Sequence, residues 1–295
     1  MTTALAETTA LVVLLRIGGR PWSEYAGLVE ERGSAVTALE EEIHGHQGSL
    51  FVQPEHLEEL IASAAAEIAS WQARGIALLT VLDPGYPENL RGVHDRPPLV
   101  FAAGALQPHD ARSIAVIGAR AASSGGLDAA RELAAHLVAH GYTVVSGLAA
   151  GIDTAAHTAA LDRKGRTIAV IGTGLGRAYP PQNASLQRRI AGTGAVISQF
   201  WPGAPPSRRS FPMRNAVMSG MALGTVVVEA SERSGARTQA RLALAHGRPV
   251  FLLRSLLAQP WARECAARGG THVIGSPAEL TTVVERLTSA GALTA

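Results

Sequence analysis

The sequence predicts an α/β fold with a doubly wound, mainly parallel sheet, preceded by a small N-terminal helical domain. Short apolar segments alternate with helical segments through residues 112–290, a pattern typical of parallel strands joined by crossover helices. Several of the apolar segments stop at a glycine, which favours a sharp exit from a strand. Ligands of such sheets bind beyond the carboxyl ends of the strands. The turns that follow the strands are therefore the candidate functional site.

The length, charge and cysteine content limit the classes to which this protein can belong. The chain has 295 residues, 47% of them hydrophobic, which is enough for one large and one small domain. A formal net charge of +2 does not by itself indicate nucleic acid, so any basic surface must be local. A single cysteine, Cys265, excludes an intramolecular disulfide or a cysteine metal cluster. The apolar segment 11–15 is too short for a signal peptide or a membrane span, and we expect a cytoplasmic protein without a membrane anchor.

Residues 1–74 are predicted to form a helical accessory domain. The patterns place helices at 9–17, 23–32 and 54–74, with Ser23 as the N-cap of the second and Gly33 at its end. Residues 75–81 and 97–101 read as two extended segments because prolines between and within them disfavour helix. We expect this pair to lead into the main sheet.

Residues 75–290 are predicted to form one Rossmann-like domain, with 291–295 as a tail. The order of its apolar and amphipathic segments predicts strands at 113–118, 142–146, 167–171, 195–198, 225–229, 249–253 and 272–274. It predicts helices at 126–140, 152–162, 184–191, 214–223, 236–246, 261–268 and 277–290.

The first turn contains Gly118 and Arg120, followed by a helix start at residues 123–126. The G-x-G-x-x-G of a dinucleotide site is absent. A glycine, an arginine and the free N–H groups of a helix start suit a phosphate. The alternative is that the glycines only allow the helix to pack closely on the sheet.

The second turn, residues 146–153, places a small-residue loop between Gly147 and Gly151. Asp153 and His157 are four residues apart and share a helix face. They are candidates for an acid–base pair or for metal ligands. The favoured interpretation is that Asp153 stabilises the helix start and His157 orients the helix by hydrogen bonding, since no third ligand or nucleophile follows.

The third and fourth turns add aromatic and basic residues. The third, 172–181, carries Gly172, Gly174 and Tyr179. The fourth, 199–215, is predicted as a long loop that joins three arginines to three aromatic residues, the combination with which proteins bind single-stranded nucleic acid. A solvated proline-rich loop is the alternative. In the last loop, 229–238, Ser234 is a candidate N-cap, and Arg237 and Arg241 share a helix face.

Motifs of several enzyme classes are absent. The chain has no G-x-x-x-x-G-K-[ST], no H-E-x-x-H and no G-x-S-x-G. Glycine, arginine and serine loops at one sheet edge, without an evident nucleophile, favour binding a phosphate-bearing ligand over transforming it. We expect no catalysis and no cofactor. The alternative is a nucleotide sensor or hydrolase in the same pocket, with Asp153 or Glu229 as general base.

The motifs resemble the DNA-processing protein DprA (Smf) family. The matching words are DPGYP at 83–87, IGAR at 117–120, SGLAAGIDTAAH at 146–157, GRTIAVIGTGLGRAYPPQN at 165–183, FPMRN at 211–215, VVVEASERSG at 226–235 and GRPVF at 247–251. The resemblance covers roughly residues 75–276. It departs from the family pattern in the C-terminal third, for example at Gln199, Ala216 and residues 236–238.

The resemblance implies a homodimeric protein that binds single-stranded DNA. The family protects incoming strands in natural transformation and competence, loads the RecA recombinase for DNA recombination, and has no catalytic turnover. The resemblance also implies a DNA- and phosphate-binding pocket built from Gly118, Arg120, the 146–151 loop with Ser146, Gly147 and Gly151, Lys164 or its neighbours, Phe211, Arg214 and Asn215. To these the third turn adds Gly172 and Gly174, whose backbone is offered at the same sheet edge.

Overall fold

A computed structural model describes residues 3–45 and 54–291, so the predicted tail beyond Gly291 lies outside the described residues. The N-terminal region contains helices α1 (Thr3–Ile17), α2 (Trp22–Arg32), α3 (Ala35–Gly45) and α4 (Pro54–Ala73). Helix α2 ends at Gly33, in the left-handed conformation with φ +65°, as predicted. The N-cap prediction for Ser23 is wrong, because the helix already begins at Trp22 behind Pro21.

Helix α3 was not predicted from the sequence. Its first turn is stabilised by a distant residue: the Glu7 carboxylate of α1 accepts hydrogen bonds from the backbone N–H groups of Ala35 and Val36. Ser34 adds a local cap, accepting from the N–H of Thr37 at 3.2 Å. A carboxylate that arrives from another helix leaves no local signal, so the start of α3 is hidden in the sequence.

Nine strands form one sheet within the described residues, in the order β1-β2-β6-β5-β4-β3-β7-β8-β9. They are β1 (Ile76–Thr80), β2 (Leu99–Gly104), β3 (Ser113–Ile117), β4 (Thr143–Ser146), β5 (Thr167–Val170), β6 (Ala195–Ser198), β7 (Gly224–Val227), β8 (Val250–Leu253) and β9 (Thr271–Ile274). Strands β3 to β9 are parallel. Strands β1 and β2 form the predicted pair, which is antiparallel, and β2 joins the main sheet by antiparallel pairing with β6. The predicted doubly wound fold is confirmed.

The later helices are α5 (Glu88–Arg91), α6 (Ser124–Ala139), α7 (Ile152–Asp162), α8 (Ala184–Thr193), α9 (Ser210–Met221), α10 (Gly235–Ala245), α11 (Pro260–Ala266) and α12 (Pro277–Ser289). Helices α6, α7 and α12 cover one face of the sheet. The other face packs on α8 to α11 and is continuous with the apolar core of the N-terminal helices. Trp71 lies 5.1 Å from Phe101 and 6.0 Å from Trp201 between ring centroids. No helix in the described part of the chain has the length and apolarity to cross a membrane.

Helix α9 begins at Ser210, four residues before the predicted start, so the prediction that residues 199–215 form one loop is wrong at its end. Ser207 and Ser210 cap the helix reciprocally: each backbone N–H donates to the other hydroxyl, at 3.1 and 3.0 Å. Pro212 fits the first turn because the N–H that it lacks has no helical partner there. Phe211 and Arg214 are therefore held on a helix, which fixes their directions.

The strand order reverses at β3. The chain runs from β3 through β4 and β5 to β6 on one side, and then crosses through α9 to β7 on the other side of β3. In doubly wound sheets such a reversal leaves a crevice at the carboxyl ends of the strands, where ligands bind.

Candidate functional site

A groove of about 560 Å³ opens at this reversal. Its walls are the turn after β3, the loop after β7 and the first turns of α9 and α10. Five of the predicted site residues line it: Gly118, Arg120, Phe211, Arg214 and Asn215. Ser231, Arg233 and Ser234 line it from the loop after β7 and were not among the predicted site residues. The strand order identifies these three residues as part of the site, because the pairing of β3 with β7 brings that loop beside the first turn.

The glycines of the first two turns are needed by the chain's own packing. A Cβ at Gly118 would lie 2.6 Å from Cγ1 of Ile152. Gly151 has φ +78°, and a Cβ there would overlap the carbonyl oxygens of Ala119 and Arg120. The Ala119 N–H donates to the Glu229 carbonyl at 2.7 Å, and the Ile152 N–H donates to the Ala119 carbonyl at 3.2 Å. The turn that carries Arg120 is thus hydrogen-bonded to the loop after β7 on one side and to the start of α7 on the other.

The start of α6, which the sequence offered as a phosphate site, holds a carboxylate of the chain itself. Glu229 accepts from the Ser123 N–H at 3.1 Å and from the Ser123 hydroxyl at 2.6 Å. A helix start attracts an anion, and Glu229 supplies it from the loop after β7. The Ser123 N–H is therefore already occupied in this structure, and Glu229 is engaged as a cap of the helix start.

Asp153 ties the second turn together. Its Oδ2 accepts from the N–H groups of Gly147, at 3.1 Å, and Ala149, at 3.3 Å. Burial raises the pKa of the Asp153 carboxyl, and the nearby Arg214 charge acts in the opposite direction. The Ser146 hydroxyl donates to the Val116 carbonyl at 2.6 Å. Both polar side chains are occupied within the protein, so their role at the groove is to position backbone.

His157 is fully buried behind this turn. Its Nδ1 lies 2.7 Å from the Thr167 hydroxyl, which itself donates to the Val144 carbonyl, so the imidazole N–H is the donor. Burial lowers the pKa of His157 to about 3. The ring therefore stays neutral and orients α7, which supports the structural interpretation of the Asp153–His157 pair.

This burial predicts an acid-dependent loss of stability. The folded pKa of about 3 lies below the unfolded value of about 6.5, so the unfolded chain gains a proton as pH falls through 6.5 and the folded chain does not. From pH 7 to pH 5, His157 should lower the free energy of unfolding by about 2 kcal/mol. Urea unfolding of the parent and of His157→Asn, whose amide can keep the bond to Thr167, measures this difference.

Asp153 acts with the opposite sign. Its raised folded pKa stabilises the fold as pH falls from that value towards 3.8. Since both proteins keep Asp153, the difference between them isolates His157. Parallel curves of unfolding free energy against pH for parent and His157→Asn would contradict the assignment.

Arg214 forms the floor of the groove and is 6% exposed. Its Nη1 donates to the Gly147 carbonyl and, at 2.8 Å, to the Val170 carbonyl, joining the ends of β4 and β5 to α9. Burial lowers the pKa of the guanidinium, and Asp153 opposes that shift. Its Nε–H has no hydrogen-bond partner among residues 3–45 and 54–291. This Nε–H is itself buried.

The exposed side of the groove carries a cation and two aromatic rings. The Arg120 guanidinium lies 5.4 Å from the centroid of the Phe211 ring, and Tyr179 lies 5.4 Å from the same ring on centroids. Phe211 packs on Gly172, where a Cβ would come within 2.9 Å of the ring. Arg120 is exposed and Tyr179 is 41% exposed, so both can meet a ligand.

Two predicted residues lie elsewhere. Lys164 is exposed just beyond the end of α7, with φ +56°, at the amino edge of the sheet. The 11 residues of α7 separate it from the groove by about 16 Å. Gly174 is buried against the backbone of Trp201 and Pro202. Lys164 lies between the end of α7 and the start of β5, so the alternation of helices and strands already places it opposite the carboxyl edge where ligands bind.

A group of potential metal ligands lies at the amino edge of the sheet, away from the groove. His94, Asp95 and His246 have ligand atoms within 4.8 Å of one another. The His246 Nε2 and the Asp95 Oδ1 are 2.7 Å apart, and this hydrogen bond keeps the pKa of Asp95 below its usual value despite burial.

Comparison with known proteins matches residues 77–291 to the family model described as DNA recombination-mediator protein A. DNA processing protein DprA of Streptococcus pneumoniae is 38% identical over 203 residues, 69% of this chain and 70% of that protein. Protein Smf of Synechocystis is 38% identical over 213 residues. The chain spans 52% of the length of that Smf protein. A putative DprA of Mycobacterium tuberculosis is 36% identical over 278 residues, 90% of this chain and 70% of that protein.

Solved structures agree on the fold. The X-ray structure of DprA from Streptococcus pneumoniae superposes with a TM-score of 0.74 at 29% identity, covering 93% of this chain and 97% of that chain. DprA from Helicobacter pylori, whose structure is described with a single-stranded DNA binding mode, superposes with a TM-score of 0.64 at 24% identity. It covers 72% of this chain and 96% of that chain.

Proposed function

Because the chain belongs to the DNA recombination-mediator protein A family, we propose that it binds single-stranded DNA in the groove between β3 and β7. The observation that carries the proposal is the exposed Arg120 guanidinium beside the Phe211 ring at the mouth of that groove. An arginine neutralises a phosphate and an aromatic face stacks a base. The two together fit a strand whose bases are unpaired.

The residues divide between contact and support. Arg120 and Asn215 meet the backbone of the strand, and Phe211 and Tyr179 offer ring faces to its bases. The N–H groups at the start of α10 add a positive field from the other wall. Arg214 supports the floor through its bonds to the Gly147 and Val170 carbonyls, and Gly147 and Gly151 hold the turns. Stacking and phosphate contacts read no base edge, so we expect little sequence preference.

The family membership supports further proposals about the protein's role. We propose that it acts in the cytoplasm as a recombination mediator in natural transformation, protects incoming single strands and helps to load RecA. We also propose a homodimer, and a role without catalysis, since the candidate bases Asp153 and Glu229 are both hydrogen-bonded within the chain. Analytical ultracentrifugation with and without DNA tests the dimer.

Replacing Arg120 by alanine should weaken binding of a short oligothymidylate about 10- to 100-fold, because a charge-assisted contact to phosphate is lost. The slope of log affinity against log salt should fall by about 0.7, the value for one phosphate contact on a single strand. Fluorescence anisotropy at several salt concentrations measures both quantities. Arg163→Ala, which removes an exposed arginine at the far edge of the sheet, is the control. Equal affinities for the two variants would place the DNA elsewhere.

A further inference from the structure

A second pocket, of about 410 Å³, lies between α10 and α11. Arg233, Ser234 and Thr238 line both this pocket and the groove. The two spaces are therefore neighbours across the N-terminal end of α10. The shared residues form a ridge between the two spaces, which a ligand leaving the groove over this end would cross to reach the second pocket.

The second pocket is rich in arginine. Arg233, Arg237, Arg241 and Arg268 line it together with Glu232 and Glu264. Arg237 forms an ion pair with Glu232. Within the described part of the chain, Arg233, Arg241 and Arg268 make no ion pair. Arg237 and Arg241 also stand one helical turn apart, where like charges repel. An anion is the ligand that offsets this repulsion.

The floor of the pocket is apolar and fixed. Trp261 is 2% exposed, and its indole N–H donates to the Ala230 carbonyl at 3.3 Å, which anchors α11 to the loop after β7. Cys265 and Leu244 complete the floor. Because the indole ring is buried, it presents no free face to a base. The exposed charged groups are four guanidinium groups and two carboxylates, a formal charge of +2, so the pocket suits the phosphates of a strand rather than its bases.

We infer that the second pocket continues the binding track, and that Arg241 and Arg268 contact phosphates of the strand after it leaves the groove. The seven helical steps from Ser234 to Arg241 span about 10 Å along α10, so the pocket receives phosphates that follow those held at Arg120. This inference rests on the proposed binding of single-stranded DNA. It gives the path of the bound strand, which runs from the turn after β3 across the start of α10 towards α11.

The test is the double variant Arg241→Gln/Arg268→Gln, measured with oligothymidylates of about 4 to 16 nucleotides. The shortest oligonucleotides fill the groove alone and should bind the variant and the parent equally. The longest should bind the variant about tenfold more weakly, with a salt slope lower by about 1.4 for two lost phosphate contacts. The matched control is Arg163→Gln/Arg188→Gln, which removes two exposed arginines outside both pockets. Equal urea midpoints confirm that all proteins are folded.

Each outcome decides one question. A parent that binds no oligonucleotide overturns the proposed function itself. If the parent binds and the Arg241/Arg268 variant matches it at every length, the track does not reach this pocket. A loss in the control equal to that in the variant, or a loss that is the same at every length, also overturns the inference, because the effect is then general electrostatics.

Discussion

Replacing Arg214 by methionine is expected to lower the free energy of unfolding by about 3–5 kcal/mol, because two buried carbonyl groups lose their donor at about 1–3 kcal/mol each and a buried carboxylate loses a nearby positive charge. The Gly147 and Val170 carbonyls lose their donor. The buried Asp153 carboxylate loses the charge that favours its ionised form. Methionine fills a similar length without supplying a donor, so the loss measures polar contacts more than volume. Urea unfolding at neutral pH gives the difference.

Two further variants locate the origin of this effect. Arg120→Met removes an exposed arginine from the same groove and should change stability by no more than about 0.5 kcal/mol. Arg214→Lys keeps a charge but lacks the planar fork, and should fall between parent and methionine. If Arg214→Met unfolds at the parent's urea midpoint, Arg214 does not hold the turns. If Arg214→Lys folds but binds DNA as weakly as Arg120→Ala, Arg214 also contacts the strand.

The alternation of strands and helices was predictable because buried parallel strands are continuously apolar. Strands β3 to β7 are buried along their whole length, and each leaves a short apolar segment in the sequence. The start of α9 was missed because its cap is the mutual pairing of Ser207 and Ser210, which reads locally as part of a proline-rich loop. Pro212 strengthened that misreading, although the first turn of a helix tolerates proline.

The candidate site was predictable in its residue types but not in its arrangement. Arg120 and Phe211 were identified from separate turns, and the structure brings them to 5.4 Å. The second wall, with Arg233, depends on β7 lying beside β3, which no local pattern encodes. Gly118 illustrates a different limit: its sequence context fits a phosphate loop, whereas the space beside it is filled by Ile152. Whether a glycine makes room for a ligand or for the chain depends on distant residues.

The groove therefore combines a rigid interior with an exposed contact surface. Arg214 is buried and joins the ends of β4 and β5 to α9, and buried Asp153 joins the turn after β4 to α7, whereas Arg120 and Tyr179 are exposed at the mouth. Substitutions in the interior should change stability first, and substitutions at the mouth should change affinity with little effect on stability. This separation makes it possible to tell a positioning residue from a contact residue by measuring both quantities for each variant.

Gly151→Ala is expected to lower the free energy of unfolding by about 3–5 kcal/mol and to weaken DNA binding as well. The backbone at Gly151 has φ +78° and ψ −124°, a combination that side chains disfavour by about 1–3 kcal/mol. Overpacking adds roughly 1–3 kcal/mol, because the new Cβ would lie 2.5 Å from the Arg120 carbonyl oxygen and would overlap that of Ala119. These are backbone atoms, so no side chain can move aside.

Gly33→Ala is the matched control for Gly151→Ala. Gly33 also has a positive φ, +65°, in the left-handed helical region, and a Cβ there would meet no atom within 4 Å. Its substitution should cost about 1–2 kcal/mol and leave DNA affinity unchanged. The excess cost at Gly151 then measures the contact between the second turn and the first.

Because that contact holds Arg120 at the mouth of the groove, Gly151→Ala should lose affinity for oligothymidylate under conditions where it is still folded. Equal stability losses in the two variants, with parental affinity in both, would show that the two turns are not mechanically coupled.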